Sequence, residues 1–246
     1  MLKATIARMS LLCALAPLGA ACAEDPPIET PVDPIFPRQE IVHGKSYEEW
    51  AAAWWQWVFA IPADVNPNLD GPCDVNQPDP VFFLGANFGG TTTRSCAVPA
   101  GKAIFFPILN AYVSNCPENA DESYTCEDAT SEEYIHDNAE SLLDLDNTLS
   151  LEIDGVAVEL DEYRAHTATF TTSAPEDEED RLEACSGPIR DNACGAPVGS
   201  PRNAASDGYW VMLRPLSPGA HQIRFAASVP KFSFSIDITY NLTVAN

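Results

Sequence analysis

The chain has 246 residues, 36 Asp and Glu against 13 Lys and Arg, and a formal net charge of −23. Such a surplus of acid repels phosphate backbones, so nucleic acid is not expected as a partner; it suits solubility, cation-rich surroundings or a cationic ligand. The length suffices for one domain with a substantial core.

The first residues, MLKATIARMSLLCALAPLGAAC, place Lys3 and Arg8 before an apolar run from Met9 to Leu18 and then small residues up to Cys22. This pattern predicts a secretory signal peptide over residues 1–21, too short and wrongly flanked for a membrane span. Leu18-Gly19-Ala20-Ala21-Cys22 further resembles a bacterial lipobox, with Gly19 where Leu is usual. Lipidation at Cys22 is therefore expected, with ordinary cleavage after Ala23 as the alternative. The predicted location is outside the cytoplasm, either lipid-anchored in the cell envelope or secreted, and the only membrane contact expected is through that lipid.

Residues 22–42 carry five prolines and no helical or strand period, and read as an extended tether. A single domain is expected over 43–246. It begins with a helix from Tyr47 to about Ala60, because Ser46 and Glu49 form a capping-box pair and Pro62 ends the run. Four of the five tryptophans fall within residues 50–57. Each indole can bury ~150–250 Å², so the helix is expected to be clamped inside the fold, with Trp55 the ring best placed to line a pocket. The acids on its polar side argue against membrane insertion.

Asn66-Pro67-Asn68-Leu69-Asp70-Gly71-Pro72-Cys73-Asp74 follows. Oxygen-bearing side chains at alternate positions before a glycine resemble the opening of a calcium loop, with Asn66, Asn68, Asp70 and Asp74 as ligands. Gln77 stands where a closing Glu belongs, and the competing reading is a plain turn region. Calcium is the one cofactor the sequence suggests.

Two apolar strands are predicted next, at 80–84 and 102–110, separated by FGGTTTR, which reads as a hairpin turn because it lacks the G-K-[ST] of a phosphate loop. Residues 131–145 predict a second helix with Ile135, Ala139, Leu142 and Leu143 on its apolar stripe. A hairpin over 149–160 turns at Asp154-Gly155. The acidic stretch 173–205, containing EDEED, reads as a solvated excursion and not a strand pair. Residues 207–213 and 221–225 flank PLSPG and predict another hairpin. From Phe232 to Val244 apolar and polar residues alternate strictly, predicting a long strand with one buried face. The expected fold is mainly β with two helices: a single antiparallel β-sandwich or jelly-roll-like domain.

W-x3-WW-x-W, VPAGKAIFFPILN and DGYWVMLRPLSPGAHQIRFAAS occur in that order. Together they resemble a family of exported bacterial and archaeal proteins with no established activity. The resemblance covers 45–110 and 206–246, leaves the acidic stretch unmatched and carries no catalytic residue across.

Cys73, Cys96, Cys116, Cys126, Cys185 and Cys194 remain after the signal and Cys22 are set aside. An even number in an exported chain reads as disulfides, with sequence neighbours the simplest of many pairings. No pair has the C-x-x-C spacing of a zinc site. His43, His136, His166 and His221 are scattered without a metal-binding spacing. There is no G-x-S-x-G elbow.

Asn110 ends an apolar run and Asp207 precedes Tyr209-Trp210. Polar groups in such settings must be hydrogen-bonded, to the fold or to a ligand. With Trp55 they form the candidate ligand-binding set: Trp55, Asn110, Asp207, Tyr209 and Trp210. Three functional readings follow. The first is a non-enzymatic, lipid-anchored binding protein for carbohydrate or a small ligand. The second is an extracellular hydrolase using carboxylates or a bound metal, and the third a structural envelope protein.

Overall fold

The computed structural model describes residues 33–114, 132–173 and 201–245, all within the compact unit Asp33–Asn246. The signal peptide, Cys22, Cys116, Cys126, Cys185, Cys194 and most of the acidic stretch lie outside the described residues. No helix among the described residues is long and apolar enough to cross a membrane.

Among the described residues there are ten strands and two α-helices. Helix α1 is Tyr47–Ala60 and α2 is Glu132–Leu143. The strands are β1 Val81–Phe83, β2 Gly90–Val98, β3 Ala103–Ser114, β4 Thr148–Ile153, β5 Val156–Val158, β6 Arg164–His166, β7 Phe170–Thr172, β8 Arg202–Leu213, β9 Gly219–Val229 and β10 Phe234–Val244. One sheet has the order β1-β3-β8-β6, with β7 also on β8; the other runs β2-β10-β9-β4-β5. Phe106 of β3 meets Phe225 of β9 with ring centroids 5.3 Å apart, so the two sheets pack face to face.

The sheets are mixed, not purely antiparallel. β1 pairs with β3 and β2 pairs with β10 in parallel, and the remaining pairings are antiparallel. β2 begins inside FGGTTTR, the stretch expected to be a turn, and runs on to Val98. Its inward positions hold Thr92 and Arg94 before Cys96 and Val98, which hides the period of two. The Arg94 guanidinium can face inward because it donates to the Tyr240 hydroxyl at 2.8 Å and to the Ala86 carbonyl at 2.9 Å.

β8 and β9 do not form the expected hairpin. β8 lies between β3 and β6/β7 in the first sheet, buried on both faces from Ala204 to Leu213 except at Tyr209. β9 alternates buried and exposed residues in the second sheet. PLSPG therefore carries the chain from one layer to the other. The 148–158 hairpin forms as its sequence indicates, pairing Leu151 with Val158 and placing Asp154 and Gly155 at positive φ. The long last strand begins at Phe234, because Pro230–Phe232 form a short 3-10 turn and leave Phe232 exposed.

The expected tether ends earlier than residue 42. Ile35 is buried and bridges Leu213, Phe36 donates its amide to Met212 at 2.9 Å, and Arg214 donates its own to Pro34 at 2.7 Å. Two apolar side chains, Ile35 and Val42, supply the burial that a solvated spacer lacks. At the other boundary, residues 202–205 are not excursion but the start of β8, paired with β7 from Phe170↔Ala204 to Thr172↔Arg202.

α1 covers the face of the first sheet opposite the second. Neighbouring residues of a strand point to opposite faces: Phe106 reaches β9, while Phe105 meets Tyr47 and stacks on Trp210 at 5.4 Å. The capping box closes as expected, Ser46 Oγ accepting from Glu49 N and Glu49 Oε2 from Ser46 N. All four α1 indoles are buried and each N–H has an acceptor: Trp50 to Val42 O, Trp54 to Leu84 O, Trp55 to Ser206 Oγ and Trp57 to Val75 O, at 2.9–3.0 Å. A disulfide joins Cys73 in the loop after α1 to Cys96 in β2. Closing 23 residues of chain contributes roughly 3 kcal/mol by restricting the unfolded state.

Candidate functional site

The calcium-like loop is a structural turn. Asn66 and Asn68 are buried. The Asn66 amide donates to the Val58 and Ile61 carbonyls at 2.8 and 3.0 Å, capping the end of α1, and its oxygen accepts from Asn68 N at 3.0 Å. The Asn68 oxygen accepts from Ala86 N at 2.8 Å. Backbone amides thus take the oxygens expected on a cation, while Asp70 and Asp74 are exposed. Gly71 is needed for close approach, since a Cβ there would lie 2.3 Å from the Val65 carbonyl. Among the described residues no three His, Cys, Asp or Glu side chains are grouped to hold a metal ion.

The expected ligand-binding set divides between two faces of the first sheet. Trp55 is interior, parallel to Phe59 at 5.4 Å and 4.8 Å from the Tyr112 ring, and Trp210 lies between Phe105 and Trp54. Both are packing residues, because protein covers their rings. Asn110 faces Gly208 across β3 and β8. A Cβ at residue 208 would fall 2.7 Å from Asn110 Cβ and 2.8 Å from Trp210 Nε1, so only glycine fits. Asp207 and the half-buried Tyr209 occupy the other face.

A cleft beside α1 and a polar cluster beside α2 have the makings of a site. The first is a cleft of about 450 Å³ beside α1, within the usual range for small-molecule pockets. Trp50, Ala53, Trp57 and Ala60 follow one another at helical spacing along one wall, and Phe83 joins the aromatic floor. Phe83 stands edge-on to Trp50 at 6.0 Å and to Trp57 at 5.5 Å. Lys45 Nζ lies 4.7 Å above the Trp50 ring, and Gln56, Asn76 and Asp79 complete a polar rim. Lys102 pairs with Asp79. Sequence reading missed this cleft because its rings read as pure core, and the loop carrying Asn76 and Asp79 showed no motif of its own.

The second place is a polar cluster between α2 and the edge of the first sheet. Asp207 is 1% exposed. Arg164, which pairs with Tyr209 on the neighbouring strand and reaches Asp207 diagonally, donates from Nη2 at 2.5 Å and from Nε at 3.1 Å to its carboxylate oxygens. The same guanidinium donates to Asp144 at 2.7 Å and to the Glu140 carbonyl at 3.3 Å, tying α2 down. The hydrogen bond from Arg164 to Asp207 is the largest influence raising the guanidinium's pKa above its ordinary value. His166 pairs with Asp207 in register, and His136 reaches it from α2 with ring nitrogens 2.6 Å apart. Burial, and then the charge of His166, lower the pKa of His136 below the usual 6.5. Ile135, Ala139 and Leu143 are the buried apolar residues of α2, whereas Leu142 is exposed.

His221 is a separate case with the opposite sign. Its hydrogen bond to Asp154, at 2.7 Å, raises its pKa above 6.5. A proton held more tightly in the folded state stabilises it below pH 6.5, and the benefit disappears as pH rises through the folded value. His221→Gln is therefore expected to lower the melting temperature in acid and to match the parent in alkali. A difference that persists unchanged at high pH would show that the ring acts through packing alone.

No protein-family model and no curated protein matches the chain. Among solved structures, a chain of "Structure of PbICP-C in complex with falcipain-2" aligns with 66% of this chain and 96% of its own length, at 11% identity and a TM-score of 0.22.

Proposed function

We propose that the protein is an exported, lipid-anchored binding protein, and that its ligand, a carbohydrate or similar small polar molecule, sits in the cleft beside α1. One observation carries the reading: an aromatic floor with a polar rim, held in advance by the fold. Trp50 and Trp57 spend their N–H groups on the carbonyls of Val42 and Val75. The position of Lys45 above Trp50 marks where a polar group meets that ring. Trp50 and Trp57 are 4% and 7% exposed, so a sugar would meet only the small part of each ring that reaches the cleft, with its hydroxyls on Lys45, Gln56 and Asn76. The Cys73–Cys96 disulfide suits an oxidising compartment outside the cytoplasm. Membership of the exported family that the three sequence blocks resemble is part of the same proposal.

The test is intrinsic tryptophan fluorescence during titration with a panel of neutral oligosaccharides. A saturable change is expected, weakened at least about tenfold, equivalent to 1.4 kcal/mol, by Ala53→Leu, which narrows the wall between Trp50 and Trp57. If no glycan perturbs the spectrum, or if Ala53→Leu binds as tightly as the parent, the cleft is not the ligand seat.

A further inference from the structure

The direction of each hydrogen bond in the α2 cluster is fixed by its neighbour. Glu132, at the exposed end, is a carboxylate and only accepts, so the Thr169 hydroxyl donates to it at 2.5 Å. Having spent its proton, Thr169 Oγ1 accepts from His136 Nε2 at 2.9 Å. A neutral imidazole carries one N–H. His136 Nδ1 is then an acceptor, and His166 Nε2, 2.6 Å away, must be the donor. That leaves His166 Nδ1 as a bare lone pair. It is buried without a hydrogen-bond partner and lies 3.8 Å from Asp207 Oδ2, another acceptor. Two acceptors facing each other out of water are unfavourable.

We propose that His166 Nδ1 is a proton-uptake site: on acidification one proton enters the gap facing Asp207, makes the two imidazoles a singly charged pair, and fastens α2 to β6 and β8. A metal ion does not suit this gap, because the Arg164 guanidinium already occupies both oxygens of Asp207. A proton does, since it turns a clash of lone pairs into a charge-assisted contact. A second proton is a different matter. It would have to sit on His136 Nδ1 against an imidazolium 2.6 Å away, so α2 must lift before it binds. The lowered pKa of His136 agrees with this order. Other charges among the described residues that face the pair are Arg164 on β6, Asp207 on β8, and Glu132, Asp137 and Glu140 on α2. The first proton tightens the helix and the second releases it.

Nitrogen-15 NMR of histidine-labelled full chain, titrated from neutral to acid pH, tests the proposal. Both rings are expected as Nε2–H tautomers at neutral pH, and the first proton should move His166 Nδ1 from the bare-nitrogen to the N–H range while His136 is unchanged. Glu132→Ala removes the acceptor that orients the relay. The Thr169 hydroxyl can then donate to His136, the chain of bonds reverses, and neutral His166 should already carry its proton on Nδ1, towards Asp207. Glu132 has a side chain 74% exposed, so its loss does not threaten the fold. Thr169→Val, which removes the same constraint one link further in, should give the same tautomer. Protonation of His136 first, or an Nδ1–H tautomer of His166 already in the neutral parent, would overturn the proposal; so would an unchanged His166 tautomer in both variants.

Discussion

Asp207→Ala should unfold at a markedly lower urea concentration, with a loss of about 3 kcal/mol, because removing one partner of a buried ion pair strands the other. Asp207 is almost fully buried and takes three of the Arg164 contacts. Without it the guanidinium keeps only Asp144, whose side chain is 60% exposed, and the Glu140 carbonyl. The same substitution loosens β6 from β8 and α2 from the sheet, since Arg164 links all three. A loss under about 1 kcal/mol, the range of exposed ion pairs, would mean that Arg164 escapes to water and that the pair contributes little.

Trp54→Ala is expected to cost about 4 kcal/mol, as truncation of buried aromatic residues does. Trp54 is the pivot of α1. It is fully buried, stands T-shaped to Trp55 at 5.0 Å and Trp210 at 5.5 Å, and donates to Leu84 O beyond β1. Its removal leaves a cavity between helix and sheet and a buried carbonyl without its donor. Chemical denaturation against Phe232→Ala provides the contrast. Phe232 is 52% exposed, so its truncation should fall within about 0.5 kcal/mol of neutral. Equal losses at the two positions would contradict the placement of α1 in the core.

Helix α1 was legible because its signals are local: Ser46 and Glu49 three apart, indoles at helical spacing and a terminating proline. The last strand was legible for the same reason, its alternation running without interruption from Phe234. What failed needed knowledge of partners. β2 looks like a polar turn until Arg94 finds Tyr240, nearly 150 positions away in the chain. The assignment of β8 and β9 to different sheets is absent from the residues between them. PLSPG serves a hairpin and a layer crossing equally well, and only the burial of β8 on both faces separates the two.

The candidate sites follow the same division. Asp207 attracted notice as an acid beside aromatics, but nothing near it in sequence announced Arg164 and His166. Those two share a face through one alternation of a three-residue strand, and His136 arrives from a helix 30 positions earlier. Asn66 and Asn68 failed in the other direction. Their spacing imitates a cation loop because the end of α1 also needs closely placed oxygens and amides.

The placement of the last strand makes the second sheet depend on pairing between distant parts of the chain. β10 lies between β2 and β9 and supplies the whole parallel partner of β2. Without β10, β2 has no partner among the described strands, while β9, β4 and β5 keep their own pairings. β10 and β2 lie far apart in the chain, and pairing of such long range is slow to form.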